Sequence, residues 1–332
     1  MKYCALALLA AGAFAQSQNQ TTYTYDINGR RTAVASTSTT KSGAATSSTT
    51  MIQSINNGAV PVTGSDQRVI SDGPNGRVVE RIVKKYDQNG RPSGTEKVRI
   101  EERKNADGST TTQTTIYDSD INGGYMARQR SVAQTSTSGG VTRTDTAVQT
   151  PSLNGGFDVT EKRLTIEQGD EKNSQKDLTV YRKDTNGRFA AAAREITQVQ
   201  TTNGQQVTTT NEFNTASTGK MELTGQKVST LEKRPDGTEL MVTDVYGQTA
   251  SSQLGAPQGQ PQLREQQIVQ KKNGANGSVT ETFSVRRPAA DSKRLGPPLT
   301  ISQTVCTGTC TPPPPTPAPP QAAQGQTANP KP

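Results

Sequence analysis

The feature that most limits how this chain can fold is a turn signal that recurs at nearly constant spacing. Tyr25 leads into Asn28-Gly29, Ile55 into Asn57-Gly58, Tyr86 into Asn89-Gly90 and Tyr117 into Asn122-Gly123. Val148 then precedes Asn154-Gly155, Tyr181 precedes Asn186-Gly187, Phe213 precedes Gly219, Tyr246 precedes Gly247, and Phe283 ends the series. The steps between these large residues are 30, 31, 31, 31, 33, 32, 33 and 37. Spacing this even marks an internal repeat of about 32 residues, with "TTYTYDINGRRTA", residues 21 to 33, as its first copy. A second set of turns falls near the midpoint of most copies: Asn75-Gly76, Asp107-Gly108, Gly139-Gly140, Gly169, Asn203-Gly204, Asp236-Gly237 and the stretch from Asn273 to Gly277. Asn-Gly and Asp-Gly favour the positive φ angles of a type I′ hairpin turn, whose twist suits antiparallel strands. Each copy therefore reads as two strands and two turns, the turns alternating between the two edges of one sheet.

The segments between turns alternate as strands do. In "EKVRIEERK", Val98 and Ile100 point one way and Lys97, Arg99 and Glu101 the other. "RVVERIVKKY" places Val78, Ile82 and Tyr86 on one parity, and Leu164, Ile166, Leu178 and Val180 repeat the pattern. Thr-rich stretches such as "STTTQTTIYD" form strands well and cores poorly. One helix-like patch, "RFAAAAREITQVQ", is limited by Gly187 and its Thr-rich sequel to a short helix at best. With 29% hydrophobic and 4% aromatic residues, a thick two-layer core is ruled out. The fold class is all-β: a long antiparallel meander of repeated hairpins with one mildly apolar face, as a single-layer or rolled sheet. Such low hydrophobicity also suits a disordered chain, which is the competing expectation.

Four regions follow. Residues 1–15 have the layout of a secretory signal: Lys2, a short apolar run, and small residues at Ala13 and Ala15 before cleavage at Gln16. Cys4 lies inside the apolar run, ahead of the small residues, which argues against a lipoprotein. Residues 16–50 comprise a first strand and a loose Ser/Thr-rich segment, and residues 51–305 the hairpin region. Residues 306–332 hold a Cys-x3-Cys loop and a tail, "TPPPPTPAPPQAAQGQTANPKP", whose prolines keep it extended and disordered. No segment after the signal is long and apolar enough to span a membrane as a helix. The expected location is periplasmic, cell-surface or extracellular, where Cys306 and Cys310 are expected to pair as a disulfide closing a small ring. The charge of +8 does not imply nucleic acid, because 37 basic residues are interleaved with 29 acidic ones and no basic cluster forms.

"YTYDINGRRTA" and "KKYDQNGRPSG" resemble the Tyr-Asp repeats of secreted RHS-type proteins, and "YRKDTNGR" at Tyr181 does so in part. The resemblance implies a spiralling sheet that encloses a payload. It carries over no catalytic residue.

The chemistry the sequence offers is sparse. The chain contains no His, the usual general base, metal ligand and triad member. Glu101-Glu102 and Asp118/Asp120 are the carboxylate pairs a hydrolase would need, but no aromatic sugar platform surrounds them. Asp118, Asp120 and Asn122 also match the first half of a calcium loop, with Gly123 at the sharp turn and Gln129 where the bidentate Glu belongs. Asp, Asn and Gly are equally the residues that make turns. The expectation is an exported, non-enzymatic repeat scaffold without a cofactor, calcium being the one candidate. Its partner would be a cell-envelope polymer or protein. An RHS-like shell around a cargo is the alternative, and an envelope hydrolase the remaining one.

Overall fold

A computed structural model of the chain describes residues 16–54, 58–120, 123–216, 218–247, 261–274, 277–288 and 294–308. Eighteen strands occupy them in chain order: β1 (Gln16–Tyr25), β2 (Arg31–Ser42), β3 (Ala45–Ser54), β4 (Gly58–Gly73), β5 (Gly76–Tyr86), β6 (Pro92–Lys104), β7 (Thr110–Ser119), β8 (Tyr125–Ser138) and β9 (Val141–Pro151). The second half continues with β10 (Phe157–Gly169), β11 (Asn173–Lys183), β12 (Phe189–Thr202), β13 (Gln205–Thr215), β14 (Met221–Lys233), β15 (Glu239–Gly247), β16 (Gln262–Asn273), β17 (Val279–Arg286) and β18 (Leu299–Gly308). Each strand pairs antiparallel with its sequence neighbours, and β18 pairs with β1 from Gln18↔Gly308 to Thr24↔Ser302. The sheet is thus a closed 18-strand barrel of hairpins with no free edge.

The register fixes its dimensions. Followed from strand to strand once around, the pairing returns to β1 about 20 residues along, which gives a strand tilt of about 40° and a backbone diameter of about 35 Å. Side chains cannot fill a barrel that wide. Accordingly, no described side chain is fully buried, and only Val98, Ile116, Val148, Val285 and Cys306 form the buried apolar set. All five lie on the same face of the sheet by register: Val98 pairs directly with Ile116, and Val279, six residues from Val285 and so of the same parity, pairs with Cys306.

Two interactions hold a wall with so little apolar content. The first is the backbone ladder, present on both sides of every strand. The second is a set of hydroxyl pairs across it: Thr22–Thr304 and Thr37–Thr50 at 2.9 Å, Thr135–Thr144 at 2.9 Å, Thr197–Thr210 at 3.1 Å and Ser229–Thr243 at 2.8 Å. Each such cross-strand pair contributes roughly 0.2–1 kcal/mol, small alone but repeated around the wall.

Four expectations change. The alanine-rich patch is strand β12, with pairing to β11 and β13 outweighing the helical preference of alanine. The apolar positions do not share one face. Val98 and Ile100 of β6 lie on the face of Arg81, whereas Val78 and Ile82 of β5 pair with Glu101 and Lys97 on the other. Leu164 and Ile166 of β10 likewise oppose Leu178 and Val180 of β11, because the turns and bulges, not apolar matching, set the register. Most Asn-Gly and Asp-Gly turns are also not type I′. In Asp26–Arg30 the Asp26 N–H donates to Arg30 O at 2.9 Å, Gly29 N–H donates to Asp26 O at 3.0 Å, and only Gly29 has positive φ. That is a three-residue loop with a glycine bulge, repeated at Asp87–Arg91, Asn105–Ser109, Asp184–Arg188 and Arg234–Thr238. Asn203-Gly204 and Gly139-Gly140 do place both central residues at positive φ, as type I′ requires. The Ser/Thr-rich stretch 34–50 lies in β2 and β3.

Gly76 is the tightest backbone approach of β5: its φ is 155° and an added Cβ would sit 2.1 Å from the Glu102 carbonyl oxygen of β6. Gly76→Ala is expected to lower stability by about 2 kcal/mol or more, seen as a fall in melting temperature. Gly94→Ala, where no atom lies within 4 Å of the new methyl, serves as the neutral comparison.

Candidate functional site: the bulged rim

Turns from odd to even strands all fall at one end of the barrel, and turns from even to odd strands at the other. At the first end the register slips by one residue in every hairpin, at Thr24/Tyr25, Thr50/Met51, Lys85/Tyr86, Ile116/Tyr117, Val159/Glu161, Val180/Tyr181, Glu212/Phe213, Val245/Tyr246 and Phe283/Ser284. A bulge increases local twist and re-aims the residues beside it. Here it stands next to the aromatic of most hairpins, so the Tyr and Phe residues that carry the sequence spacing form a band below this rim.

Cations cap aromatic rings at the same end, among which Tyr117 is the one that carries the sequence spacing. The Arg31 guanidinium lies 4.2 Å from the centre of the Tyr23 ring, Arg130 lies 4.0 Å from Phe157, and Lys162 lies 4.7 Å from Phe189. Lys97 sits between Tyr117 and Tyr125, at 5.7 and 5.6 Å. Above the band are the turns, braced where an Asp begins them. The Asp26 carboxylate accepts from the Asn28 and Arg30 N–H groups at 2.9 and 2.8 Å, and Asp87 and Asp184 repeat this arrangement.

Both faces of the wall carry charge at mid-strand. On one face Arg99 bonds Glu80 at 3.2 Å and Glu101 at 2.6 Å, and Arg143 bonds Asp145 at 2.7 Å. On the other, Arg163 meets Glu161 at 2.6 Å and Lys227 meets Glu212 at 2.7 Å. At the opposite end a cleft of ≈ 580 Å³ is lined by amides and glycines, among them Gln175, Gln198, Gly140 and Gly169, with Gln198 donating to Gln175 at 3.3 Å.

The residues singled out from sequence fall as follows. Asp118 is on β7, 3.4 Å from Arg128 Nε. Asp120 opens the next turn, its carboxylate accepting from the Gly124 N–H at 2.7 Å. Asn122 lies outside the described residues, and among those described no three His, Cys, Asp or Glu side chains gather to hold a metal ion. Glu101 is engaged by Arg99. Cys306 is disulfide-bonded and accepts a hydrogen bond from Gln18 at 3.4 Å, while Cys310 lies outside the described residues. The bulges and the cation–aromatic contacts were missed by sequence reasoning. The signal was available, since Arg31 and Arg130 each sit near an aromatic strand end.

No protein-family model matches the chain, and no curated protein matches it in sequence. Among the described residues no helix is long and apolar enough to cross a membrane, which bears on helices alone.

The turns at the opposite end are expected to make the fold acid-sensitive. Hydrogen bonds from Ser109 hold the Asp107 carboxyl below its ordinary value of 3.8, and backbone N–H groups of Asn173 and Thr238 do the same for Asp170 and Asp236. A carboxyl depressed in the folded state contributes its stability above the unfolded value, near 3.9, and loses it as pH falls through the folded one. The melting temperature is therefore expected to fall as pH drops below about 4. The fall should be smaller in a variant combining Asp107→Ala, Asp170→Ala and Asp236→Ala, checked by thermal melts at neutral and acid pH.

Proposed function

We propose that this chain is an exported, non-enzymatic scaffold of the cell envelope, built from hairpin repeats of about 32 residues akin to the Tyr-Asp repeats of RHS-type proteins. Its wall is then a single rolled layer, and its role structural or adhesive. One observation carries this reading: both faces of the barrel wall bear paired charges and hydroxyls, so the chain spends its sequence on solvated surface. The layout of residues 1–15 supports export, and the Pro-rich tail supplies reach toward a partner. Fractionation of the native host is expected to find the protein outside the cytoplasm, beginning at Gln16. Retention in the cytoplasm with residues 1–15 intact would sink the proposal.

Closure of the sheet favours a second reading, in which the barrel encloses a guest. A diameter of about 35 Å leaves roughly 20 Å clear between facing side chains, and a helix with its side chains needs about 10–12 Å. Native mass spectrometry of protein purified from its host would then find a bound polypeptide, and an empty chain mass would count against it.

A further inference from the structure

The three most exposed large apolar side chains of the described structure stand at the same end of the barrel. They are Leu153 at 106%, Ile27 at 80% and Met126 at 67% of full exposure, with Tyr125 beside Met126 at 41%. Single exposed apolar residues are ordinary on any protein surface. Two of them share a position: Ile27 and Leu153 each occupy the second place of a five-residue turn at this end. Asp26 N–H to Arg30 O at 2.9 Å and Ser152 N–H to Gly156 O at 2.9 Å lock the two turns. Met126 is the second residue of β8, just after the third such turn, Asp120–Gly124. The β1–β2 turn and the β9–β10 turn are eight strands apart in a ring of eighteen, so the tips spread around the rim and reach one plane together when the barrel stands upright on it.

The surroundings of these tips identify the plane. Exposed Arg30 and Arg31 follow Ile27, and Arg128, its side chain 53% exposed while it bonds Glu96 and Asp118, follows Met126. Below, Arg31, Lys97, Arg130 and Lys162 cap aromatic rings. Apolar tips, then cations, then aromatics with a polar cap follow the order in which side chains meet acyl chains, phosphates and the headgroup layer. The acidic groups nearest the tips are Asp26, turned back onto the N–H groups of Asn28 and Arg30, Asp120, turned back onto Gly124, Asp118, beside Arg128, and the exposed Asp158 below the Leu153 turn. We propose that this rim docks on an anionic lipid surface, inserting Ile27, Met126 and Leu153 to shallow depth. The barrel does not span. The ion pairs at mid-strand on both faces would otherwise enter hydrocarbon, where a charge on the lipid side of a barrel costs about 2–4 kcal/mol. This inference stands on the rim alone and not on the scaffold reading.

Co-sedimentation of the full chain with vesicles tests it. Vesicles of phosphatidylcholine mixed with phosphatidylglycerol are expected to bind the protein, and high salt to release it. Phosphatidylcholine alone is expected to bind less. A variant combining Ile27→Ser, Met126→Ser and Leu153→Ser should bind about tenfold or more weakly, since each replaced side chain removes buried apolar area. Its melting temperature should match the parent, because all three are exposed. Ile70→Ser with Val141→Ser, at the opposite end, should bind as the parent does. Absence of binding by the parent, equal loss at the two ends, equal binding to the uncharged vesicles, or binding that resists high salt would each overturn the proposal. Export measured by fractionation is unaffected by any of these results, so the two readings fail separately.

Discussion

The structure depends on the hydrogen bonds between β1 and β18. A meander with so few apolar side chains cannot stabilise itself by packing, and an open strip would leave two edges of unpaired N–H and C=O groups. Pairing Gln18↔Gly308 through Thr24↔Ser302 removes both edges at once, and the Thr22–Thr304 hydroxyl pair continues the pattern of the rest of the wall across the seam. Every strand then has two partners, and the ladder supplies what a core supplies elsewhere. Val98, Ile116 and Val148 are local patches on that ladder, not its foundation.

Because the ladder dominates, the turns and bulges decide where each side chain points. A glycine at positive φ in each five-residue turn sets the hairpin register, and at one end of the barrel a bulge beside the turn shifts it by one residue in each hairpin. The aromatic residues stand beside these bulges and therefore collect in a band at one end. Their position is a consequence of backbone geometry before it is a matter of side-chain packing. The same geometry scatters the valines, isoleucines and leucines over both faces, which a core-driven sheet would not tolerate. Solvent wets both faces here, so the scatter costs little.

Much of the secondary structure was legible in the chain. Tyr25, Tyr86, Tyr117 and Tyr181 with their Asn-Gly turns located hairpins correctly because turn chemistry is local and glycine has few substitutes at positive φ. The parity of Val98 and Ile100 against Lys97 and Arg99 also held, since alternation is a property of one strand. The alanines of β12 misled because propensity is local, whereas β11 and β13 lie on either side of that strand. The rim was illegible for a related reason. Ile27, Met126 and Leu153 are far apart in the chain, and only the ring brings their turns to one end.

The sequence by itself determined that the chain is antiparallel β, that its strands are joined by short glycine turns, and that no thick core could form. Each of these follows from residue types within a few positions of one another. The tertiary structure alone decided that the meander closes, at eighteen strands and a stagger of about 20 residues, and which side chains share a face. Closure is a sum over every hairpin, in which the small twist and register shift added by each turn and bulge accumulate until β18 meets β1. No local stretch of residues contains that sum.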